Sequence, residues 1–173
     1  EQVTVLRSNV IDLDGTTLSW EELAALPEAF LTVWGALDKG MSIEQGQTLL
    51  VRGATSSVGL AALTYAKACG LNVIATTRSP ENRNRLEQLG ANHVVIDAGE
   101  VADIVREISP AGIDAALEVI GASTLRDSIK TLRPFGAVSV IGLLGGPPVL
   151  EPFHLMQDLP AATRLSFFQS GLF

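Results

Sequence analysis

The sequence predicts an open α/β domain, a doubly wound parallel sheet in three α/β/α layers. From Thr48 onward, short aliphatic runs alternate with longer helix-patterned segments, the spacing of βαβ units. The composition is 47% hydrophobic but only 5% aromatic, so the core must be aliphatic and alanine-rich, as suits strands covered on both faces. A length of 173 residues allows one domain with a full core and a short appendage.

Thr48 to Arg52 is the first expected strand, followed by a small-residue turn and an Ala-rich helix from about Ser57 to Cys69. Gly70 stands where a helix-ending residue of positive φ belongs, and Cys69 is expected as a small buried hydrophobe. Asn72 to Thr77 is the second strand; Ser79 as N-cap and Pro80 at the first helical position open a helix ending near Leu89-Gly90. His93 to Ile96 then reads as strand, Val101 to Ile108 as helix, Ile113 to Val119 as strand and Ser123 to Leu132 as helix stopped by Pro134. Ala137 to Ile141 and, after a Pro-containing connection, Arg164 to Gln169 complete the sheet. Right-handed crossovers restrict the topology to a small menu.

Residues 1–47 stand outside the alternation. Leu23 to Leu37 reads as helical, with Ser19 as N-cap and Glu22 completing a capping box; Pro27 predicts two helical segments rather than one. There is no internal repeat and no low-complexity tract.

The net charge of −7 disfavours nonspecific binding to nucleic acid or anionic membranes. One cysteine excludes an internal disulfide and cannot alone build a zinc site. No apolar run approaches the ~20 residues that cross a bilayer, and no secretory leader pattern is present, so a cytoplasmic setting is expected. The start at Glu1 and the apolar end Leu172-Phe173 read as cut from a longer protein. His93 and His154 have no partner at ligand or triad spacing and read as structural.

The first strand runs into Gly53-Ala54-Thr55-Ser56-Ser57-Val58-Gly59. A tight turn of small residues between strand and helix lets the backbone approach a diphosphate and aims unpaired N–H groups and the helix dipole at it. The match to G-x-G-x-x-G is partial, since Ala54 and Ser56 replace the first two glycines, and an unliganded turn is the plain alternative. Enzymes using NAD place Asp or Glu at the end of the second strand to bind the ribose 2′-hydroxyl. Here that end reads Thr77-Arg78-Ser79, with Arg83 beyond, which offers guanidinium and hydroxyl groups to a 2′-phosphate and so favours NADP(H). Arg85 reads as a solvated helix residue, and Arg83 reads equally as that or as a phosphate contact. Glu118 and Gly142, at the carboxyl ends of the fourth and fifth strands, are expected to line the cofactor groove, where ligands of open α/β sheets sit.

Leu31-Thr32-Val33-Trp34-Gly35-Ala36-Leu37, the turn Gly53 to Gly59, Ala75-Thr76-Thr77-Arg78-Ser79, Leu89-Gly90-Ala91, Leu117-Glu118-Val119-Ile120-Gly121 and Leu132-Arg133-Pro134-Phe135-Gly136 together resemble the medium-chain dehydrogenase/reductases. The nearest flavour is the zinc-independent quinone oxidoreductase branch, similar to zeta-crystallin. The resemblance spans nearly the whole chain and implies a Rossmann-fold NADP(H) domain over 27–173, with 1–26 as the tail of a catalytic segment. It implies that Thr32 sits near the nicotinamide, that Ser56, Ser57 and Val58 hold the diphosphate, and that Val119, Ile120, Gly142, Leu143 and Leu144 border the groove. No catalytic residue is assigned, because the family's substrate groups lie mostly outside this chain. The position of a zinc-ligating cysteine in metal-using relatives falls at about Glu28. Asp97-Ala98-Gly99 stands where some members carry a tyrosine near the 2′-phosphate.

The expected function is that of an NADPH-dependent oxidoreductase passing hydride to a quinone or α,β-unsaturated carbonyl, with the isolated chain inactive. A homodimer is expected through the edge strand Arg164 to Gln169. The alternatives are a zinc-dependent alcohol dehydrogenase-type member, a non-catalytic nucleotide-binding module, and a methyltransferase, which Thr77-Arg78 argues against. The remotest is a haloacid dehalogenase-type phosphohydrolase built on Ile11-Asp12-Leu13-Asp14-Gly15-Thr16, with Asp114 and Glu118 as a later acidic motif.

Overall fold

Among the described residues, six strands of the computed structural model pair in parallel: β1 (Thr48–Arg52), β2 (Asn72–Thr77), β3 (His93–Ile96), β4 (Ile113–Glu118), β5 (Leu132–Val140) and β6 (Arg164–Phe167). Their order is β3-β2-β1-β4-β5-β6, so the winding reverses between β1 and β4. The structure describes residues 3–10, 12–160 and 162–172. Glu1 and Phe173 at the expected cut ends, and Ile11 of the aspartate motif, lie outside the described residues.

Helices cover both faces. One core cluster joins Ala29, Val33 and Leu37 to Leu63 and Ala66 of α2 (Ser57–Ala68), Leu86 of α3 (Arg83–Leu89), and Leu49, Val51 and Val73 of the sheet. The other packs Leu50, Ile74, Ala116 and Val138 against Val105 of α4 (Ala102–Ile108) and Leu125 and Ile129 of α5 (Ala122–Lys130). Alternate residues of each strand therefore serve opposite layers, which is why the strands are apolar nearly throughout.

The capping box at Ser19 and Glu22 forms, but Pro27 does not split the helix. Helix α1 (Trp20–Trp34) runs through it, and the backbone changes only at Gly35, where a π-helical stretch continues to Met41. Pro27 removes one backbone bond on an exposed position, while Ala29, Val33, Ala36 and Leu37 bury the opposite face. The expected boundary at 26/27 thus falls inside α1. Ser79 makes no side-chain cap; its segment begins as a 3-10 turn (Pro80–Asn82) before α3.

Pro134 does not stop α5, which ends at Lys130 where the Thr131 hydroxyl donates to the Ser128 carbonyl. Pro134 lies inside β5, in an irregular stretch where the pairing passes from Ile113↔Leu132 to Ala115↔Ala137. Cys69 is exposed, contrary to expectation. Helix α2 ends at Ala68, and the turn through Gly70 (φ +70°) carries Cys69 off the buried face, leaving Leu71 in the core. Short helix α6 (Leu155–Asp158) interrupts the connection before β6.

Gly59 fixes how closely α2 meets the sheet. A Cβ there would lie 2.6 Å from the Gly53 carbonyl oxygen and 2.7 Å from the Ala54 Cα, both rigid backbone. Gly59→Ala is expected to cost about 1–3 kcal/mol of stability and to lower Tm; an unchanged Tm would contradict this packing.

Candidate functional site

The carboxyl ends of β1, β2, β3 and β4 open into a cavity of about 580 Å³, within the range of cofactor sites. Its walls come from the turn after β1 (Gly53, Thr55, Ser56), the end of β2 (Thr76, Thr77, Arg78), the turn after β3 (Asp97 to Gly99), Ile120 and Thr124 after β4, and Leu144 and Gly145 after β5. Such a crevice arises where crossovers leave adjacent strands toward opposite faces of the sheet.

At the start of α2, Ser56 is the N-cap: its hydroxyl accepts from the Gly59 amide at 3.0 Å and donates to the Gly53 carbonyl at 2.9 Å. The amides of Ser57 and Val58 have no acceptor among the described residues. They follow Ser56, which lines the cavity while Ser57 and Val58 do not, and the positive end of this twelve-residue helix favours an anion beside it.

Arg78 follows the end of β2, is exposed, and makes no hydrogen bond or ion pair among the described residues. Thr77 holds the adjoining loop, its hydroxyl accepting from the Ser79 amide at 3.2 Å and the Asn82 side chain at 3.3 Å. Arg83 is not brought to this cavity. It reaches toward Glu87 at 3.9 Å and borders a separate open groove of about 470 Å³ beside β3, with His93 and Ile104.

Glu118 does not line the cavity either. It is fully buried, and its carboxylate accepts from the Ile120 and Gly121 amides and the Thr124 and Ser128 hydroxyls, which shapes the turn after β4. Val119 is buried beneath that turn. Gly142 lets the loop after β5 lie against it, since a Cβ would fall 2.2 Å from the Val119 carbonyl oxygen. Leu143 and Leu144 are exposed on that loop, and Leu144 reaches the cavity. Thr32 is buried on α1, its hydroxyl donating to the Glu28 carbonyl at 2.9 Å.

The residue that sequence reasoning missed is Arg52, fully buried at the end of β1. Its Nε and Nη2 donate to the two Asp97 oxygens at 3.0 and 3.2 Å, and its Nη1 donates to Asp127 at 2.6 Å. Gly99 and Thr124 carbonyls and the Ser128 hydroxyl take its remaining hydrogen bonds. Burial alone would raise the Asp97 carboxyl, but hydrogen bonds from Arg52 and Gly99 and the guanidinium charge hold it below its ordinary value. Burial lifts Glu118 above its ordinary value, with the bonds from Ser128, Gly121 and Thr124 and the Arg52 charge offsetting this only in part. The signal available in sequence was a lone arginine closing the aliphatic run Leu49-Leu50-Val51.

The aspartate motif near the amino terminus forms no such site. Asp12 and Asp14 stand in an exposed turn, where the Asp12 carboxylate accepts from the Asp14 amide at 2.9 Å. Asp114 sits at the opposite end of the sheet, accepting from the Thr48 amide and from Arg133. Among the described residues, no three His, Cys, Asp or Glu side chains gather as a metal site. No helix among them is long and apolar enough to cross a membrane.

Residues 57–170 match the zinc-binding dehydrogenase family. Over 156 residues the chain is 32% identical to quinone oxidoreductase of Rattus norvegicus, covering 89% of this chain and 47% of that protein. The fold superposes on a quinone oxidoreductase of Pseudomonas syringae pv. Tomato DC3000 with a TM-score of 0.81 and 27% identity, covering 90% of this chain and 48% of that one. A mycobacterial protein solved in complex with NADPH gives a TM-score of 0.79 at 25% identity, over 88% of this chain and 47% of its own. The chain thus spans about half the length of these relatives.

The depressed Asp97 carboxyl adds stability that is fully present above its unfolded value near 3.8 and is lost as pH falls through the lower folded value. Asp97→Asn is expected to melt below wild type at about pH 7, with the gap closing below about pH 4. A gap in Tm that does not change with pH would contradict the ion pair.

Proposed function

This chain belongs to the zinc-binding dehydrogenase family of medium-chain oxidoreductases, and from that membership we propose that it is the NADP(H)-binding half of a reductase acting on quinones or other α,β-unsaturated carbonyls. The observation that carries the cofactor assignment is that Ser56, the N-cap of a helix whose first amides, Ser57 and Val58, are unfilled among the described residues, shares one cavity with an unpaired Arg78. The rat and Pseudomonas relatives, both quinone oxidoreductases, and the mycobacterial neighbour holding NADPH support it.

The bound nicotinamide would supply hydride to an electrophilic carbon of the acceptor. The chain's own residues bind and orient. The start of α2 neutralises the diphosphate with backbone amides and the helix dipole. Arg78 offers a guanidinium fork to a 2′-phosphate, which a carboxylate at that strand end would repel. Ile120 and Leu144 supply apolar wall on the side of β4 and β5. Val119, Gly142 and Leu143 belong to the turns after β4 and β5 without lining the cavity, Thr32 is buried on α1, and we keep all four as proposed supports of the nicotinamide end. Ser79 holds the 77–82 loop, and Arg83 reaches the nucleotide only by leaving Glu87. The residues up to about 26 are proposed as the tail of a catalytic portion, with α1 bridging the two. No catalytic residue is assigned to this chain, which is expected to bind nucleotide without turnover. A cytoplasmic setting is part of the same proposal.

The family's name carries zinc. At Glu28, where a zinc ligand would fall, a carboxylate oxygen accepts from the Ser170 hydroxyl at 3.4 Å, and the described residues gather no metal-ligating group. That donor set does not fit the metal, and no step is routed through it.

Strand β6 lies at the sheet edge with Leu165 and Phe167 41% and 59% exposed, a geometry suited to pairing with a second copy. Light scattering is expected to give the mass of two chains, falling to one in Phe167→Lys; a monomeric wild type would refute the dimer. In calorimetric titration NADPH is expected to bind at least about tenfold more tightly than NADH, with Arg78→Ala erasing most of that preference. Equal affinities, or a preference that survives Arg78→Ala, would overturn the assignment.

A further inference from the structure

We infer that Arg52, buried beneath the cavity and out of contact with any nucleotide, sets the preference for a 2′-phosphorylated nucleotide by holding the Asp97 carboxylate out of action. The inference rests on the cofactor assignment above and adds a positioning residue to it.

Asp97 is the one carboxylate among the described residues lining the cavity. Thr77 and Ile96 are register partners on β2 and β3, and Arg78 and Asp97 each follow one of them. The Asp97 amide donates to the Thr77 carbonyl at 2.8 Å, so the two charged residues leave adjacent strands at the same level. A free carboxylate there would do two things to a bound 2′-phosphate. It would repel the anion directly, and it would compete for the Arg78 guanidinium.

Neither occurs, because Asp97 is saturated. Its Oδ1 accepts from Arg52 Nη2 at 3.2 Å and the Gly99 amide at 2.9 Å. Its Oδ2 accepts from Arg52 Nε at 3.0 Å and the Thr76 hydroxyl at 3.4 Å. Four donors fill the four lone-pair directions of a carboxylate. Arg52 cannot swing up to a ligand, since Asp127, Ser128 and the carbonyls of Gly99 and Thr124 hold its other hydrogens. A buried ion cluster of this kind is often no more stabilising than an apolar replacement, so stability alone does not explain it. Control of charge at the cavity wall does.

The test is calorimetry with adenosine 2′,5′-bisphosphate and AMP, which differ by the one phosphate, at a pH near 8. Arg52→Gln should weaken the bisphosphate about tenfold or more while AMP changes less than about threefold, and Arg52→Gln/Asp97→Asn should restore the bisphosphate. Equal losses for both ligands, or no recovery in the double variant, would overturn the inference. Asp97→Asn alone leaves Arg52 paired with Asp127 and should keep or widen the preference; weakening of both ligands by about tenfold would mean that Asp97 touches the nucleotide, and the inference fails. That arm decides the matter if Arg52→Gln does not melt cooperatively. A wild type that does not prefer the bisphosphate refutes the cofactor assignment itself. A wild type that does, with Arg52→Gln unchanged, refutes only the role of Arg52.

Discussion

The reversal of winding between β1 and β4 is the constraint on which the rest of the structure depends. Helices α2 and α5 leave neighbouring strands toward opposite faces, so their amino-terminal ends diverge above the end of β1. The gap collects the turns after β1, β2, β3 and β4, all at the carboxyl edge of one parallel sheet. Backbone amides at the start of α2 cannot pair within the helix, and its N-cap Ser56 lines the gap. A parallel sheet buried on both faces offers few other places where polar groups meet solvent at a fixed geometry.

The same gap forces a solution for buried charge. Arg52 ends β1 in register with Glu118 of β4, and both are fully buried. Isolated, either would be costly. Asp97 and Asp127 close the guanidinium from two sides, while Glu118 is satisfied by hydroxyls and amides of its own turn and α5. Thr76 links this cluster to the rim, accepting from the Gly53 amide at 3.1 Å while donating to Asp97. Position of the turn after β1 and charge at the cavity wall therefore depend on one connected network. Asp97 and Glu118 are shifted in opposite directions: Glu118 is the more deeply buried and is bonded mostly by neutral donors, whereas Asp97 is less buried and is paired directly with the Arg52 guanidinium.

Much of this was legible in the sequence. The bounds of the first three strands follow directly from aliphatic runs set between turn residues, and the small residues from Gly53 to Gly59 mark the turn that lines the cavity. The failures share one cause, the overriding of local rules by tertiary packing. Pro27 breaks helices in isolation, yet α1 persists because its other face is buried against α2 and the sheet. Pro134 is carried by an irregular strand whose pairing with β4 skips residues. Cys69 has apolar neighbours in sequence but sits past the helix end. Glu118 was expected at the groove because strand ends face ligands, but its side chain turns inward to cap its own loop. Arg52 left little trace in sequence, because its partners lie 45 and 75 residues away.

The most direct test of the account is to follow the backbone amides by 15N–1H NMR while NADPH is added. The account predicts the largest shifts at Ser57 and Val58, at the diphosphate, with a second group at Thr77 and Arg78. Shifts concentrated instead in the groove beside β3, around Glu87 and His93, with the start of α2 unmoved, would contradict it.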